Sequence, residues 1–269
     1  MNRAAVLGSP ISHSLSPVIH QCAYEILEWN WNYERFDVKS GELAKFLASH
    51  TGEFRGLSLT MPLKEEAIGL LDTVSDLGKR VSAVNTIVFD EIGAHGFNTD
   101  VQGFVDAMSF HHVSIPDRVA ILGGGATARS AIAAVDGFAK RIEVFARSAH
   151  RTRSLVNSAE HAIVNVHSWE EVSDALAFDL VISTTPAGAT DLLPVRSTPA
   201  TLFESLYNPW PTPLLQKWRN AGGRGIDGLD LLVWQAIGQL QYMGFDQNQV
   251  LERKAELYQK MRAAALLTL

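Results

Sequence analysis

A glycine turn, one lysine, one aspartate and several hydroxyls carry the chemistry this sequence offers. Val119-Ala120-Ile121-Leu122 is an apolar run of strand length, and it meets Gly123-Gly124-Gly125-Ala126-Thr127-Ala128 and then a helix-forming run. Gly123, Gly125 and Ala128 fit G-x-G-x-x-A, a variant of the dinucleotide fingerprint. The first glycine makes a tight turn, the second lets backbone approach a pyrophosphate, and the small third residue lets helix pack on strand. The first amides of that helix have no intrahelical partner and favour an anion. The next apolar run, Ile142-Glu143-Val144-Phe145-Ala146, ends at Arg147-Ser148, where a site for NAD carries an acidic residue. Arg147, with His150, Arg151 and Arg153 behind it, suits a 2′-phosphate, because a guanidinium fork holds phosphate oxygens in pairs. The cofactor expected is therefore NADP.

Other groups fit a chemical role and a plainer one equally well. Lys64 follows Met61-Pro62-Leu63 in the first turn of a helix after a strand. Open α/β sheets place ligands there, yet a lysine opposes the helix dipole and can simply pair with a nearby glutamate. Asn85 interrupts an apolar run, Val81 to Val88, so its amide must bond either backbone or ligand. Ser12, Ser14 and Ser16 alternate before Pro17; Ser16 reads as a helix N-cap, or the hydroxyls converge on a polyol or carboxylate. Asp100 precedes the helical run Val101 to Met108 and fits an N-cap. Gln235 and Gln239 fall on a late helix, where the plainer reading is solvation.

The elements that must position these groups follow from the apolar pattern. Strands are expected at 4–8, 31–38, 55–60, 81–88, 119–122, 142–146, 162–166, 178–183 and 201–206. Helices are expected after Ser16, over 41–48, after Pro62, over 126–136 and 148–158, around Trp234, and over 247–267. From Arg118 the strand–helix alternation specifies a mostly parallel sheet covered on both faces. Thr184 sits at the carboxyl end of one of its strands. The bulk numbers agree with a globular protein: 269 residues, 46% hydrophobic, net charge −6. The acidic balance argues against nucleic acid as a partner. Cys22 is the one cysteine, so no intrachain disulfide forms. No signal peptide is read at the start, and no run of about 18 apolar residues argues for a membrane span. A cytoplasmic protein without a metal is expected.

Taken together, these stretches resemble the shikimate dehydrogenase family. The likeness rests on Gly8-Ser9-Pro10-Ile11-Ser12-His13-Ser14-Leu15-Ser16-Pro17, Leu59-Thr60-Met61-Pro62-Leu63-Lys64, Ala83-Val84-Asn85-Thr86, Asn98-Thr99-Asp100, the glycine loop, and Gly228 to Gln235. It implies an N-terminal α/β substrate domain (residues 1–100 with 238–269), a Rossmann-type NADP domain (101–237), and a C-terminal helix packing on the first. The implied reaction is reversible reduction of 3-dehydroshikimate to shikimate by NADPH, on the route to chorismate and aromatic amino acids. By matching position, Lys64 and Asp100 are the catalytic pair. Ser14 and Ser16 take the substrate carboxylate, Thr60, Asn85 and Gln235 take ring hydroxyls, and Tyr207 lines the cleft. The cofactor falls to Gly123, Gly124, Gly125, Ala126, Thr127, Ala128, Arg147, Ser148, Arg151, Thr184, Gly228 and Leu231. The chain departs from the family pattern at Leu231, where a methionine is usual, at Ala126, and at Ala146-Arg147-Ser148, where Asn-Arg-Thr is usual. A quinate or dual quinate/shikimate dehydrogenase using NAD(P) is the nearest alternative, and a non-catalytic NADP-binding sensor the next. A monomer or homodimer acting on a small molecule is expected.

Overall fold

The computed structural model describes residues 1–269, the side chain of Ala149 excepted. The chain forms two compact units, Met1–Thr99 with Leu232–Leu269, and Asp100–Leu231. The return to the first unit falls at Leu231/Leu232, whereas the sequence puts it at 237/238. The first unit starts with β1 (Asn2–Gly8), α1 (Ser16–Leu27), β2 (Trp31–Asp37), α2 (Leu43–Ser49), β3 (Gly56–Leu59) and α3 (Leu63–Glu66). A 3₁₀ turn follows over Ala67–Leu70. Then come β4 (Thr73–Val74), α4 (Asp76–Arg80), β5 (Thr86–Phe89) and β6 (Ala94–Phe97).

The strands form one sheet in the order β2-β1-β3-β5-β6-β4. β1 runs parallel to β2 and β3, while β3–β5 and β5–β6 are antiparallel. The strand expected over 81–88 starts only at Thr86. Its first half is spent otherwise: α4 ends at Arg80, Ser82 has φ +48°, and the Ala83 and Val84 amides bond Gly78 and Lys64 carbonyls. Leu7, Leu43, Leu57, Leu63, Val84 and Ile87 build the core on one face of this sheet. The short strand β4 and the helix α4 were not read from the sequence; Ser75 caps α4 by accepting the Gly78 N–H.

The second unit comprises α5 (Asp100–Phe110), β7 (Arg118–Leu122), α6 (Ala126–Val135), β8 (Arg141–Ala146), a 3₁₀ turn at Ala149–Arg151, α7 (Thr152–Val156) and β9 (Ile163–Ser168). It continues with a 3₁₀ stretch over Trp169–Ala177, β10 (Leu180–Ser183), β11 (Thr201–Glu204), α8 (Pro213–Asn220) and β12 (Arg224–Ile226). All neighbours in this sheet are parallel, in the order β12-β11-β10-β7-β8-β9. That is the doubly wound dinucleotide-binding order, with the reversal at β7/β10. The apolar strands are buried on both faces, as parallel sheets require. The helix expected over 148–158 is only the 3₁₀ turn and α7. α8 was missed although its start is written in Thr212-Pro213: the threonine hydroxyl accepts the Leu215 N–H and proline takes the first position.

α9 (Gly228–Met243) leads back to the first unit, followed by α10 (Gln247–Glu252) and α11 (Lys254–Leu266). The last helix is thus two helices, not one over 247–267. The break is at Arg253, whose guanidinium reaches the Ile26 carbonyl and Glu256. α11 packs on α1. Among the described residues, no helix is long and apolar enough to cross a membrane.

Candidate functional site

One end of the first sheet gathers most of the polar groups singled out above. β1 and β3 end there at Gly8 and Leu59; antiparallel β5 begins there, with Thr86 opposite Ser58; β6 ends there, with Phe97 opposite Thr86. The loops leaving this edge therefore hold Ser14 and Ser16, Thr60 and Lys64, Asn85, and Asn98-Thr99 side by side. Ser16 is not the N-cap: Leu15 is, and Ser16 is the first helical residue, its N–H donating to Ser14 Oγ at 3.3 Å. Leu15 wins because the Ser14 hydroxyl, one residue earlier, already reaches that amide. Arg35 donates to the Ser12 carbonyl at 2.6 Å and fixes the loop.

Lys64 is half-buried in α3. Of its neighbouring glutamates, Glu66 is engaged elsewhere: its carboxylate accepts the Gly41 and Leu43 amides at 2.8 and 3.1 Å, at the start of α2. Asn85 is buried, and its amide serves backbone first. Oδ1 accepts the Thr99 N–H and the Thr86 hydroxyl, each at 2.8 Å, while Nδ2 donates to Thr99 Oγ1 at 2.9 Å and to Gln235 Oε1 at 3.4 Å. Gln235 in turn donates to the Leu232 carbonyl at 2.7 Å. The structure thus brings Asn85, Thr99 and Gln235 together. Asp100 is the next residue in the chain, buried, and opens α5 of the second unit.

Behind this edge lie groups the sequence reading missed or misread. Gln239, read as solvated, is buried, as are His20, Tyr33 and Ser58. Burial lowers the His20 pKa to about 3, against a smaller opposing effect of its bond to Gln239, so the imidazole is neutral. Burial likewise raises the Tyr33 phenol above its ordinary range, with hydrogen bonds to Ser58 and Ser16 working the other way.

In the second unit the glycine turn forms as its composition requires. Gly123 has φ +115°, a conformation a side chain rarely adopts, and its N–H donates to the Phe145 carbonyl at 2.9 Å. Thr184 packs over it and donates its hydroxyl to the Leu122 carbonyl at 2.8 Å. Gly125 precedes α6, and no side chain caps that helix, so Ala126 and Thr127 begin it with amides suited to an anion. Ala128 is fully buried, as the small third position demands. Arg151 donates to the Gly124 carbonyl at 3.3 Å, which sets its guanidinium at the turn; Arg147 is exposed and Ser148 half-buried at the end of β8. At Gly228 the close approach is to the chain itself: a β-carbon would lie 2.5 Å from the Leu206 carbonyl carbon. Leu231 is buried and Tyr207 half-buried.

A cavity of about 330 Å³ lies at the carboxyl ends of β10 and β11, lined among others by Thr185, Thr190, Asp191, Glu204 and Thr212. Burial raises the Glu204 pKa to about 7, although the Leu206 amide and the Thr212 hydroxyl bond its carboxylate at 3.2 Å each. No alternation of residue types pointed to Glu204, which closes an ordinary strand pattern.

Comparison with known proteins covers both units. Residues 6–87 match the family model for the shikimate dehydrogenase substrate binding domain. A relative from Ignicoccus hospitalis, named shikimate dehydrogenase (NADP(+)), is 31% identical over 238 residues, spanning 87% of this chain and 89% of its own. Among solved structures, shikimate dehydrogenase from Mycobacterium tuberculosis matches with a TM-score of 0.85 and 30% identity, over 98% of this chain and 99% of that one. Shikimate 5-dehydrogenase from Thermus thermophilus, solved in complex with NADP(H) and shikimate, matches with a TM-score of 0.82 and 29% identity over the full length of both chains.

Proposed function

The chain belongs to the shikimate dehydrogenase family, and we propose that it performs the NADPH-dependent, reversible reduction of 3-dehydroshikimate to shikimate in aromatic amino acid biosynthesis. The observation that carries this reading is the first-sheet edge, where hydroxyls, a half-buried lysine and a buried amide adjoin one another over an apolar core. Such an edge suits a small polyol with a carboxylate. Three features of the second unit fit NADP(H): the uncapped start of α6, the Arg151 guanidinium at Gly124, and the room beside Gly125, whose β-carbon would meet nothing closer than 3.8 Å.

When bound, NADPH supplies the hydride. The chain's own residues bind and orient the substrate and manage the proton. In this reading Ser14 and Ser16 hold the carboxylate, and Thr60, Asn85 and Gln235 hold ring hydroxyls, with Tyr207 beside them. Arg147, Ser148 and Arg151 hold the 2′-phosphate; Gly123 to Ala128, Thr184, Gly228 and Leu231 face the dinucleotide. Oxidising a secondary alcohol requires its hydroxyl proton to leave, and a base within about 3 Å must accept it. In this reading that proton transfer falls to Lys64 and Asp100 as a pair, the two groups that the family resemblance matches to the catalytic positions. The protein works as a monomer or homodimer in the cytoplasm, on small molecules and not on nucleic acid or membrane.

The test is a four-way assay of the purified protein with shikimate or quinate and NADP⁺ or NAD⁺. The expected result is preferred turnover of shikimate with NADP⁺. Preference for quinate with NAD⁺ selects the quinate dehydrogenase reading. Cofactor binding without turnover of either alcohol selects the sensor reading.

A further inference from the structure

α9 carries a second glutamine one turn after Gln235, and its amide is the hub of a buried hydrogen-bond chain. Gln239 Nε2 donates to the Asn85 main-chain carbonyl at 3.1 Å. The same carbonyl accepts the Leu59 N–H at 2.8 Å, so both its lone pairs are used. On the other side, Gln239 Oε1 accepts the Ser58 hydroxyl at 2.8 Å and faces His20 Nε2 at 3.2 Å. Tyr33 lies 2.6 Å from Ser58 and stacks on His20 with ring centroids 4.0 Å apart. The Asn85 carbonyl can only accept, which fixes the orientation of the glutamine amide. With the amide fixed, Ser58 must donate to Oε1, Tyr33 must donate to Ser58, and His20 must carry its proton on Nε2. One side chain thus dictates the donor direction of every bond in the chain.

Its position decides what that direction controls. The atoms Gln239 holds are the main chain of Asn85 and, through the shared carbonyl, that of Leu59, which precedes Thr60. The imidazole it meets is one turn after Ser16 on α1. We propose that Gln239 is a positioning residue for the reaction: it holds Asn85, Thr60 and the start of α1 in register at the substrate edge of the first sheet. This proposal rests on the reading of that edge as the shikimate-binding site. Gln239 touches no substrate itself and acts through the groups it fixes.

The experiment measures steady-state kinetics of the full chain for wild type, Q239L, N85A and the double variant, with melting temperatures in parallel. Q239L is expected to raise KM for shikimate about tenfold, because it leaves one buried carbonyl short of a donor and two buried donors without an acceptor. KM for NADP⁺ stays within about twofold. In the N85A background the same change adds little to KM, because the group it positions is gone. Q239E keeps the shape of the side chain and covers the case in which Q239L does not fold. Its protonated acid donates to the Asn85 carbonyl at low pH, and its carboxylate cannot at high pH. His20 and Tyr33 are the titratable groups meeting this chain, and the wild type, with both neutral, supplies the baseline. A KM for shikimate that rises with pH in Q239E alone supports the proposal. An unchanged shikimate KM in folded Q239L, effects that multiply in the double variant, or a pH-independent KM in Q239E overturns it while leaving the enzyme's function intact. A wild type without shikimate turnover overturns the functional reading and this proposal with it.

Discussion

Two glycines of one turn should fail in opposite ways when each becomes alanine. At Gly123 the added β-carbon would lie 2.5 Å from Thr184 Oγ1 and 3.2 Å from the Thr184 carbonyl oxygen, on a backbone with φ +115°. The strained dihedral costs about 1–3 kcal/mol. Displacing Thr184 breaks its bond to the Leu122 carbonyl, at about 1 kcal/mol more. Gly123→Ala is therefore expected to lose ~2–4 kcal/mol of stability, a fall in Tm of roughly 6–15 °C for a domain of this size. At Gly125 the nearest atom to an added β-carbon is Arg151 Nη1 at 3.8 Å, and φ is −89°. There the loss of a good N-cap, some tenths of a kcal/mol, is offset by ~0.4–1 kcal/mol from a less flexible unfolded chain. Gly125→Ala should melt like the wild type. In the proposed binding mode, however, its methyl occupies the space through which a pyrophosphate reaches the α6 amides, so the Kd for NADP⁺ should rise at least about tenfold, or ~1.4 kcal/mol. Thermal melts without ligand and calorimetric titration with NADP⁺ separate the two effects. A Gly125→Ala protein that binds NADP⁺ within twofold of wild type would refute the claim that this turn cradles the dinucleotide.

Further outcomes follow from the same structure. Lys64→Ala should lower kcat by roughly 10²- to 10⁴-fold while the Kd for NADP⁺, measured by titration, stays put; near-normal turnover would exclude Lys64 from proton transfer. Arg147→Ala should weaken NADP⁺ about tenfold or more and leave NAD⁺ unaffected if, as proposed, its guanidinium meets only the 2′-phosphate; equal losses for both cofactors would place Arg147 elsewhere. For Glu204 the sign is fixed by the raised pKa. A carboxyl that titrates near 7 folded and near 4.5 unfolded holds its proton more tightly in the native state, so its stabilisation is full below about 4.5 and fades as pH climbs to 7. That amounts to about 3 kcal/mol. Glu204→Gln should flatten the dependence of Tm on pH across that window, and an unaltered curve would show that Glu204 is ionised there.

What the sequence disclosed is what short-range physics writes locally. The glycine turn, the parallel alternation from Arg118 and the basic end of β8 each occupy a handful of consecutive residues, and each took the expected form. Asn85 was legible as a polar intrusion in an apolar run, and the structure answers where its bonds go. Its partners were not legible. Gln239 lies 154 residues further on, and His20 meets that glutamine across 219 residues, so no periodicity links them. Ser16 misled because serine before proline is a sound capping signal, and here the serine two positions earlier supplies the oxygen. The long final helix misled because apolar spacing continues through Arg253, where the backbone leaves the helical run at φ −101° and ψ +10°.

Lys64 shows how a local rule can be right and still not bind. A cation in the first turn of a helix opposes the macrodipole, and that argued for a compensating glutamate. But α3 spans only Leu63–Glu66 before it tightens into the 3₁₀ turn. Four residues sum few peptide dipoles, and Glu65 and Glu66 share the turn, so the penalty on an ammonium is small. Glu66, moreover, spends its carboxylate on the amides at the start of α2 and ties that helix to α3. The brevity of the helix keeps the dipole penalty on the lysine small, and Glu66 is committed to the start of α2. Lengthening α3 by stabilising residues 67–70 as a regular helix would then make the site less hospitable to a charged Lys64, whereas removing Glu66 would disturb α2 before it disturbed the lysine.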